Sequence, residues 1–370
     1  MALFHIDAGK GWRGGQRQSF YLARELKRKG FPFFYVVQPK RPLYQKALEA
    51  DLPVLPLKIR HEFDVIASLI LARTMKKNHC VLVHFHDAHS VAVGSAAASI
   101  AKVPIKIISR RVDFSLRQNV FSRWKYRKNV DVIVAVSEGV KKVLISDGIN
   151  SDSVEVIPDC TDFSRFEGTF SPDYLRKEFS FDPDDYLVGI VAHLAGHKGH
   201  KYLISAAKFL KEHTDKVKIL IVGEGSLEQD LKRQARELMV EDIVHFLGFR
   251  EDVPQILHSL DLFVLSSYLE GFGSSILDAM ACRLPVVATR TGGIPEVVIN
   301  EETGLLVPTR DPLSLAKAIL RVYRDRELAT RLAQRGYEFV RQKFSTRVIA
   351  ENVINLYEKL AAEKGVELYT

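Results

Sequence analysis

Residues 3–37, LFHIDAGKGWRGGQRQSFYLARELKRKGFPFFYVV, contain one complete strand, loop, helix and strand. Leu3 to Ile6 and Phe33 to Val37 are short apolar runs. Between them Gln18 to Lys29 carries Phe20, Tyr21, Leu22 and Leu26 at the 3.6-residue spacing of a helix packed on one side. Strands joined through a helix in this order pair in parallel, with the helix crossing one face of the sheet. The alternation continues outward through Val81 to Phe85, Ile105 to Ser109, Val132 to Val136 and Val154 to Ile157, with a helical segment at Glu138 to Asp147. It then restarts, with strands at Leu187 to Val191, Lys218 to Val222, Val244 to Leu247, Leu262 to Leu265, Val286 to Ala288 and Leu305 to Val307, and helices near 200–211, 226–238, 275–282 and 312–323. The fold class is therefore α/β, with two Rossmann-like doubly wound parallel-sheet domains over 1–165 and 166–345, expected to face each other across a cleft. Turn formers and aromatics without a period, CTDFSRFEGTFSPDYLRKEFSFDP at 160–183, mark the joint. A closing helix is expected over Ser345 to Lys364, with Val348, Ile349, Val353, Leu356, Tyr357 and Leu360 on one stripe and Ser345 as its cap.

The chain has 370 residues, 46% hydrophobic and 26% charged, a composition that leaves out disordered and fibrous classes. Its apolar runs fall far short of a membrane-spanning helix, and the first residues lack the basic start and apolar core of a cleaved signal. Three widely spaced cysteines, Cys80, Cys160 and Cys282, point to neither a disulfide framework nor a zinc site, so a reducing cytoplasm is the expected compartment. Charge is uneven: residues 1–170 hold 27 Lys and Arg against 16 Asp and Glu, and the remainder 26 against 29. The excess suits an anionic partner such as nucleic acid, an acidic membrane face or a phosphorylated acceptor, and is equally compatible with a solubilising surface.

Three strand-to-helix junctions carry residues suited to anions. After Leu3 to Ile6, glycines at 9, 11, 14 and 15 leave backbone N–H groups open at a helix start. This is not a dinucleotide fingerprint, because the spacing differs from GxGxxG and the second strand runs into Gln38 and Pro39 where an acid is required. After Leu187 to Val191, Lys198 lies beside Gly199, where an ammonium can meet a phosphate. After Leu262 to Leu265, the loop SSYLEGFGSSILDAMA places Glu270 and Asp278 eight residues apart around glycines and a helix start, offering amides for a diphosphate and acids for sugar hydroxyls. Each junction taken singly also fits a plain structural turn.

Together these residues resemble the retaining glycosyltransferases of family 4, the glycosyl transferases group 1, which have the GT-B fold. The resemblance rests on the acid-x7-acid loop from Glu270 to Asp278, on HKGHKYLISAAKFL, IVGEGSLEQDL, FLGFREDV and TGLLVPTRDPLSLAKAI, and on the GGQ loop, HFHDAHS and VIPDCTDFSRF. It implies that Glu270 lies beside the donor sugar and its leaving phosphate, that Asp278 receives the ribose hydroxyls, and that the amides of Gly271, Phe272, Gly273, Ser274 and Ser275 hold the diphosphate. Lys198 is then the phosphate-binding lysine, Gly14 and Gly15 the loop over the donor phosphates, His86 the histidine near the transferred sugar, and Arg250 a neighbour of the base. The resemblance also implies a C-terminal helix, 346–370, returning to the N-terminal domain, a nucleoside-diphosphate sugar as donor and no cofactor or metal. His193 stands where the family often has Arg, and Asp278 where it has Glu.

The basic and aromatic segment Lys106 to Lys128, with eight basic residues and one acid, is expected to dock an anionic glycolipid or saccharide acceptor, such as a lipopolysaccharide core, or to contact an anionic membrane peripherally from the cytoplasmic side. Arg110 and Arg111 would lie nearest the cleft, and no nucleic-acid module accompanies the charge. A sugar-nucleotide epimerase of the same build and a nucleotide-sugar-binding protein without turnover remain the alternatives.

Overall fold

The computed structural model describes residues 1–115, 126 and 130–368. It contains two compact units, one of Met1–Cys160 with Thr346–Thr370 and the other of Thr161–Ser345.

The first unit has a seven-stranded sheet in the order β3-β2-β1-β4-β5-β6-β7, and every strand pairing is parallel. Its strands are β1 (Ala2–Asp7), β2 (Phe33–Val37), β3 (Val54–Pro56), β4 (Cys80–Phe85), β5 (Ile105–Arg110), β6 (Val132–Ala135) and β7 (Val154–Val156). Helices α1 (Gly14–Arg28), α2 (Pro42–Glu49), α3 (Val65–Lys77), α4 (Ala88–Ala101) and α5 (Glu138–Ser146) make the crossovers. The mostly apolar strands follow from burial on both sheet faces: every residue of β1 and of β4 is buried, including the polar His5, Asp7 and His84. The sequence reading has no strand at β3, a three-residue edge strand that ends in Pro56 and is too short to show an alternation.

The second unit has a six-stranded sheet in the order β10-β9-β8-β11-β12-β13, again parallel throughout. Its strands are β8 (Tyr186–Val191), β9 (Val217–Val222), β10 (Val244–Gly248), β11 (Leu262–Leu265), β12 (Val286–Thr289) and β13 (Leu305–Val307). Its helices are α6 (Tyr174–Phe179), α7 (His200–Lys211), α8 (Glu228–Glu237), α9 (Val253–Ser259), α10 (Ser274–Ala281), α11 (Ile294–Val297), α12 (Pro312–Arg324) and α13 (Arg326–Lys343). In both sheets the strand order reverses beside the first strand, at β1/β4 and at β8/β11. Open α/β sheets take ligands at that reversal, beyond the carboxyl ends of the strands.

The units divide five residues earlier than the reading at 165. Cys160 is tied to the first unit, its N–H donating to Gln18 Oε1 at 2.8 Å, whereas the N–H of Thr161 donates to Phe344 O at 2.9 Å in the second. The last helix, α14 (Thr346–Lys364), belongs to the first unit and packs on α1 and β5. Its buried stripe includes Ile349, Val353, Leu356, Tyr357 and Leu360, and the Tyr357 hydroxyl lies 2.5 Å from His84 Nδ1. Among the described residues, no helix is long and apolar enough to cross a membrane.

Candidate functional site

In the second unit, Lys198 follows β8 and Glu270 follows β11, the two strands that flank the reversal. Their side chains meet: Lys198 Nζ lies 2.5 Å from Glu270 Oε2, with both groups mostly shielded from solvent. The Ser267 hydroxyl donates to the same carboxylate oxygen at 3.1 Å and fixes its orientation. The backbone beneath is locked in two places. Tyr268 N–H donates to His197 O at 2.9 Å, and Gly199, at φ +69°, passes so close to β11 that a Cβ there would sit 2.0 Å from Ser266 O. Helices α7 and α10 begin at this edge behind Gly199 and Gly273, and neither has an acid in its first turn. One ammonium, two helix N-termini and one carboxylate therefore converge where an anion with an attached hydroxyl-bearing group would be held.

Other residues of the same reading are placed differently. Gly271 is buried in the loop, while Ser274 and Ser275 open α10 and are partly exposed. The Phe272 side chain is 2% exposed with its ring 5.5 Å from that of Phe344, so it anchors the loop in the core and only its backbone remains for a ligand. Asp278 is buried too: its Oδ1 accepts from the Thr161 hydroxyl at 2.6 Å, and Oδ2 lies 3.8 Å from Arg165. Arg250 is not an open cation. Its guanidinium is clasped by Asp252 at 2.6 Å and Glu178 at 2.6 Å and touches the Tyr174 hydroxyl at 2.9 Å, which drives the Asp252 carboxyl down to about 2. Two carboxylates neutralise it, and its evident task is to tie α6 to the turn before α9. His193 is exposed beside the Lys198 loop.

In the first unit, β1 and β4 end in Asp7 and His86-Asp87. Gly14 and Gly15 form the first turn of α1, which has no acid there, and a Cβ added at Gly15 would meet nothing within 4 Å. Asp87 caps α4 through His89 N–H at 2.8 Å and also accepts the Ala8 N–H at 2.6 Å, joining the two loops. His86 faces inward: its Nε2 lies 3.0 Å from His5 Nδ1, and the two rings are stacked. Burial, then His84, His5 and Arg111, holds its pKa well below the usual histidine range, so it is a neutral hydrogen-bonding group. Arg110 and Arg111 part company. Arg110 donates to Phe114 O at 2.6 Å, while Arg111 turns into the unit to Asp159 at 3.1 Å and His86 O at 3.3 Å. The rest of the expected docking segment, 116–125 and 127–128, lies outside the described residues.

Sequence reasoning missed Asp7, His5, His84 and Ser267. The three histidines on one face of β1 and β4 bring their nitrogens within 4.8 Å of one another, a spacing that can hold a metal. The facing nitrogens of His5 and His86 are bonded to each other and both of His84 are taken, by Tyr357 and by Ser109 at 2.8 Å, while His5 Nε2 and His86 Nδ1 are buried without a hydrogen-bond partner. Asp7 is buried beneath the glycine loop, accepting from Gly9 N–H at 2.9 Å and Ser19 Oγ at 2.5 Å. Burial first, then the charge of Asp87, raises its carboxyl from 3.8 to about 6. A carboxyl raised on folding resists ionisation, so its penalty is absent below about pH 4, grows through that window and is complete above about pH 6. Asp7→Asn should therefore gain stability on the parent as pH rises from about 4 to about 7, by up to about 3 kcal/mol. Urea unfolding of both proteins at the two ends of that range would show it; parallel pH profiles would refute it.

Two family models match the chain in succession. One described as Glycosyltransferase Family 4 matches residues 12–165, and one described as Glycosyl transferases group 1 matches residues 173–339. The lipopolysaccharide core biosynthesis glycosyltransferase LpsE of Rhizobium meliloti is 27% identical over 369 residues, 96% of this chain and 98% of that protein. The N-acetyl-alpha-D-glucosaminyl L-malate synthase of Bacillus anthracis is 30% identical over 192 residues, 52% of this chain. The chain spans about half the length of the Bacillus relatives it matches, 48% in one and 50% in the other. Among solved structures, Anabaena HepE in complex with UDP-glucose superposes with a TM-score of 0.87 at 22% identity, covering 97% of this chain and 100% of that one, a likeness of fold.

Proposed function

Because the chain belongs to the group 1 glycosyltransferases of family 4, we propose that it moves a sugar from a nucleoside-diphosphate sugar to an acceptor hydroxyl with retention at the anomeric carbon. The observation that carries the reading is the Lys198–Glu270 pair at the β8/β11 reversal, formed by residues 72 apart in the chain. In this reaction the bond from the anomeric carbon to the phosphate oxygen breaks, the acceptor oxygen bonds to the same face, and its proton passes to the departing phosphate. Lys198 and the N-termini of α7 and α10 would stabilise the charge that builds on the diphosphate, so the reading needs no metal. Glu270, oriented by Ser267, would hold sugar hydroxyls. Asp278, bonded by Thr161 and beside Arg165, would receive the ribose hydroxyls.

On the acceptor side we assign the first unit, with its basic excess, to an anionic glycolipid or saccharide, and the segment Lys106 to Lys128 to peripheral contact with an anionic membrane. LpsE, named for a lipopolysaccharide core, supports that class of acceptor. Calorimetry with UDP, GDP, ADP, dTDP and CMP tests the donor site: one diphosphate should bind, and binding of none would overturn the reading. The anomeric configuration of the product, read by NMR, tests retention.

Gly15 separates a ligand role from a structural one. A helical glycine with open space beside it gains about 0.5–1 kcal/mol on replacement by Ala. If donor phosphates approach this turn, Gly15→Ala should melt higher and transfer more slowly, in the same sample. Unchanged transfer with a higher melting temperature would remove the loop from the donor site.

A further inference from the structure

Helix α3 turns an apolar face to solvent. Val65, Ile66, Leu69 and Ile70 are 66%, 60%, 53% and 51% exposed, and Phe63, just before the helix, is 65% exposed. The inward face is filled by Ala67, Ser68, Leu71, Ala72 and Met75, so the helix is apolar on both sides for its first two turns. A surface helix of a globular protein ordinarily carries polar residues outward, and contiguous exposed apolar side chains of this kind mark an interaction site. Helical spacing puts Val65, Leu69, Arg73 and Lys76 on one line and Ile66, Ile70 and Lys77 on the adjoining one. The same face is therefore apolar at its start and basic in its last turn, and Lys58 and Arg60 are exposed just upstream. α3 itself contains no acid, and the two acids just upstream are engaged: Asp64 is buried, caps Ala67 N–H at 3.0 Å and lies 3.7 Å from Arg60, while Glu62 lies 3.7 Å from His89. The neighbouring α4 has no Asp, Glu, Lys or Arg along its 14 residues.

We infer that the outer face of α3 seats on an anionic lipid bilayer, with Phe63, Val65, Ile66, Leu69 and Ile70 entering the acyl boundary and Arg73, Lys76 and Lys77 meeting the headgroups. An apolar helix face that runs into cations and carries no acid of its own matches an anionic interface in both hydrophobicity and charge. Pairing of two copies through this face with their helices parallel would instead bring the basic residues of both together. The face shares no residue with the segment Lys106 to Lys128. It deepens the membrane-linked acceptor reading by naming where the chain touches lipid, but it does not depend on the transfer reaction.

The test is sedimentation of the full chain with vesicles of phosphatidylcholine and phosphatidylglycerol, against vesicles of phosphatidylcholine alone. The parent should bind the anionic vesicles and lose binding as salt rises. Leu69→Asp with Ile70→Asp should lower partitioning by at least about 100-fold, because two large apolar side chains no longer enter the bilayer. Lys76→Gln with Lys77→Gln should lower it less and flatten the salt dependence. Nucleoside-diphosphate binding and melting temperature, measured in parallel, keep loss of lipid binding distinct from loss of fold and from failure of the donor site. Absence of binding by the parent, or full binding by the Asp variant, overturns the inference. So does a concentration-dependent dimer that the Asp variant abolishes.

Discussion

Replacing Lys198 with Ala is expected to lower transfer by about 100- to 1,000-fold, the usual cost of removing one preorganised charge-stabilising group from the leaving side of such a reaction. Lys198 reaches Glu270 Oε2 at 2.5 Å, so the variant also leaves that carboxylate with Ser267 as its remaining partner. The two effects separate in a double-mutant cycle. If Lys198 acts on the leaving phosphate, Lys198→Ala should cost most of its rate even where Glu270→Gln has already removed the pair. If Lys198 serves only to position Glu270, the second substitution should cost almost nothing further. Lys198→Arg keeps the charge but replaces a compact ammonium with a planar fork, and should recover part of the rate. Initial rates of nucleoside diphosphate release measure all of these, and a Lys198→Ala rate close to the parent's would remove the residue from the reaction.

Gly199→Ala should be the most damaging small substitution in the second unit. The added Cβ would lie 2.0 Å from Ser266 O and 2.9 Å from Ser266 C, backbone atoms of the adjoining chain that cannot rotate away, at a φ of +69° that L side chains rarely adopt. Backbone strain and overpacking together should cost about 2–5 kcal/mol, a fall in melting temperature of roughly 5–15 °C for a unit of this size. The loop that presents Lys198 would shift with it, so donor affinity should fall as well. Gly196→Ala is the matched control: three residues away in the same loop, its Cβ would meet only the Tyr268 hydroxyl at 3.6 Å. Scanning calorimetry of the two variants should show a large loss for one and little change for the other; equal melting temperatures would contradict the close approach of the two loops.

Much of the architecture was legible because it is written locally. Each of the twelve strands read from short apolar runs is present, with ends within a residue of those observed, since a strand buried on both faces leaves an uninterrupted apolar signature. The exception, Val54–Pro56, is too short to leave one. The junctions that follow the strands were legible for the same reason: a glycine after an apolar run, before a helical period, marks the edge where parallel sheets take ligands.

The partners of the side chains at those edges were not legible. The Phe272 side chain packs on Phe344, which leaves the backbone amide that the resemblance assigns to the diphosphate, and Arg250, which it places near the base, is paired with Glu178 and Asp252. His86 bonds to His5 across 81 residues, and Asp278 to Thr161 across 117. Helix α3 and its exposed apolar face were also not read, because a run apolar on both sides shows no one-sided period and does not reveal which side a neighbour covers. By itself the sequence determined the class of fold, the succession of its elements and the loops where chemistry gathers, all of which follow from short-range spacing. Only the tertiary structure decided which charges stay open and which are neutralised, because burial and pairing depend on residues that the folded chain brings together from far apart.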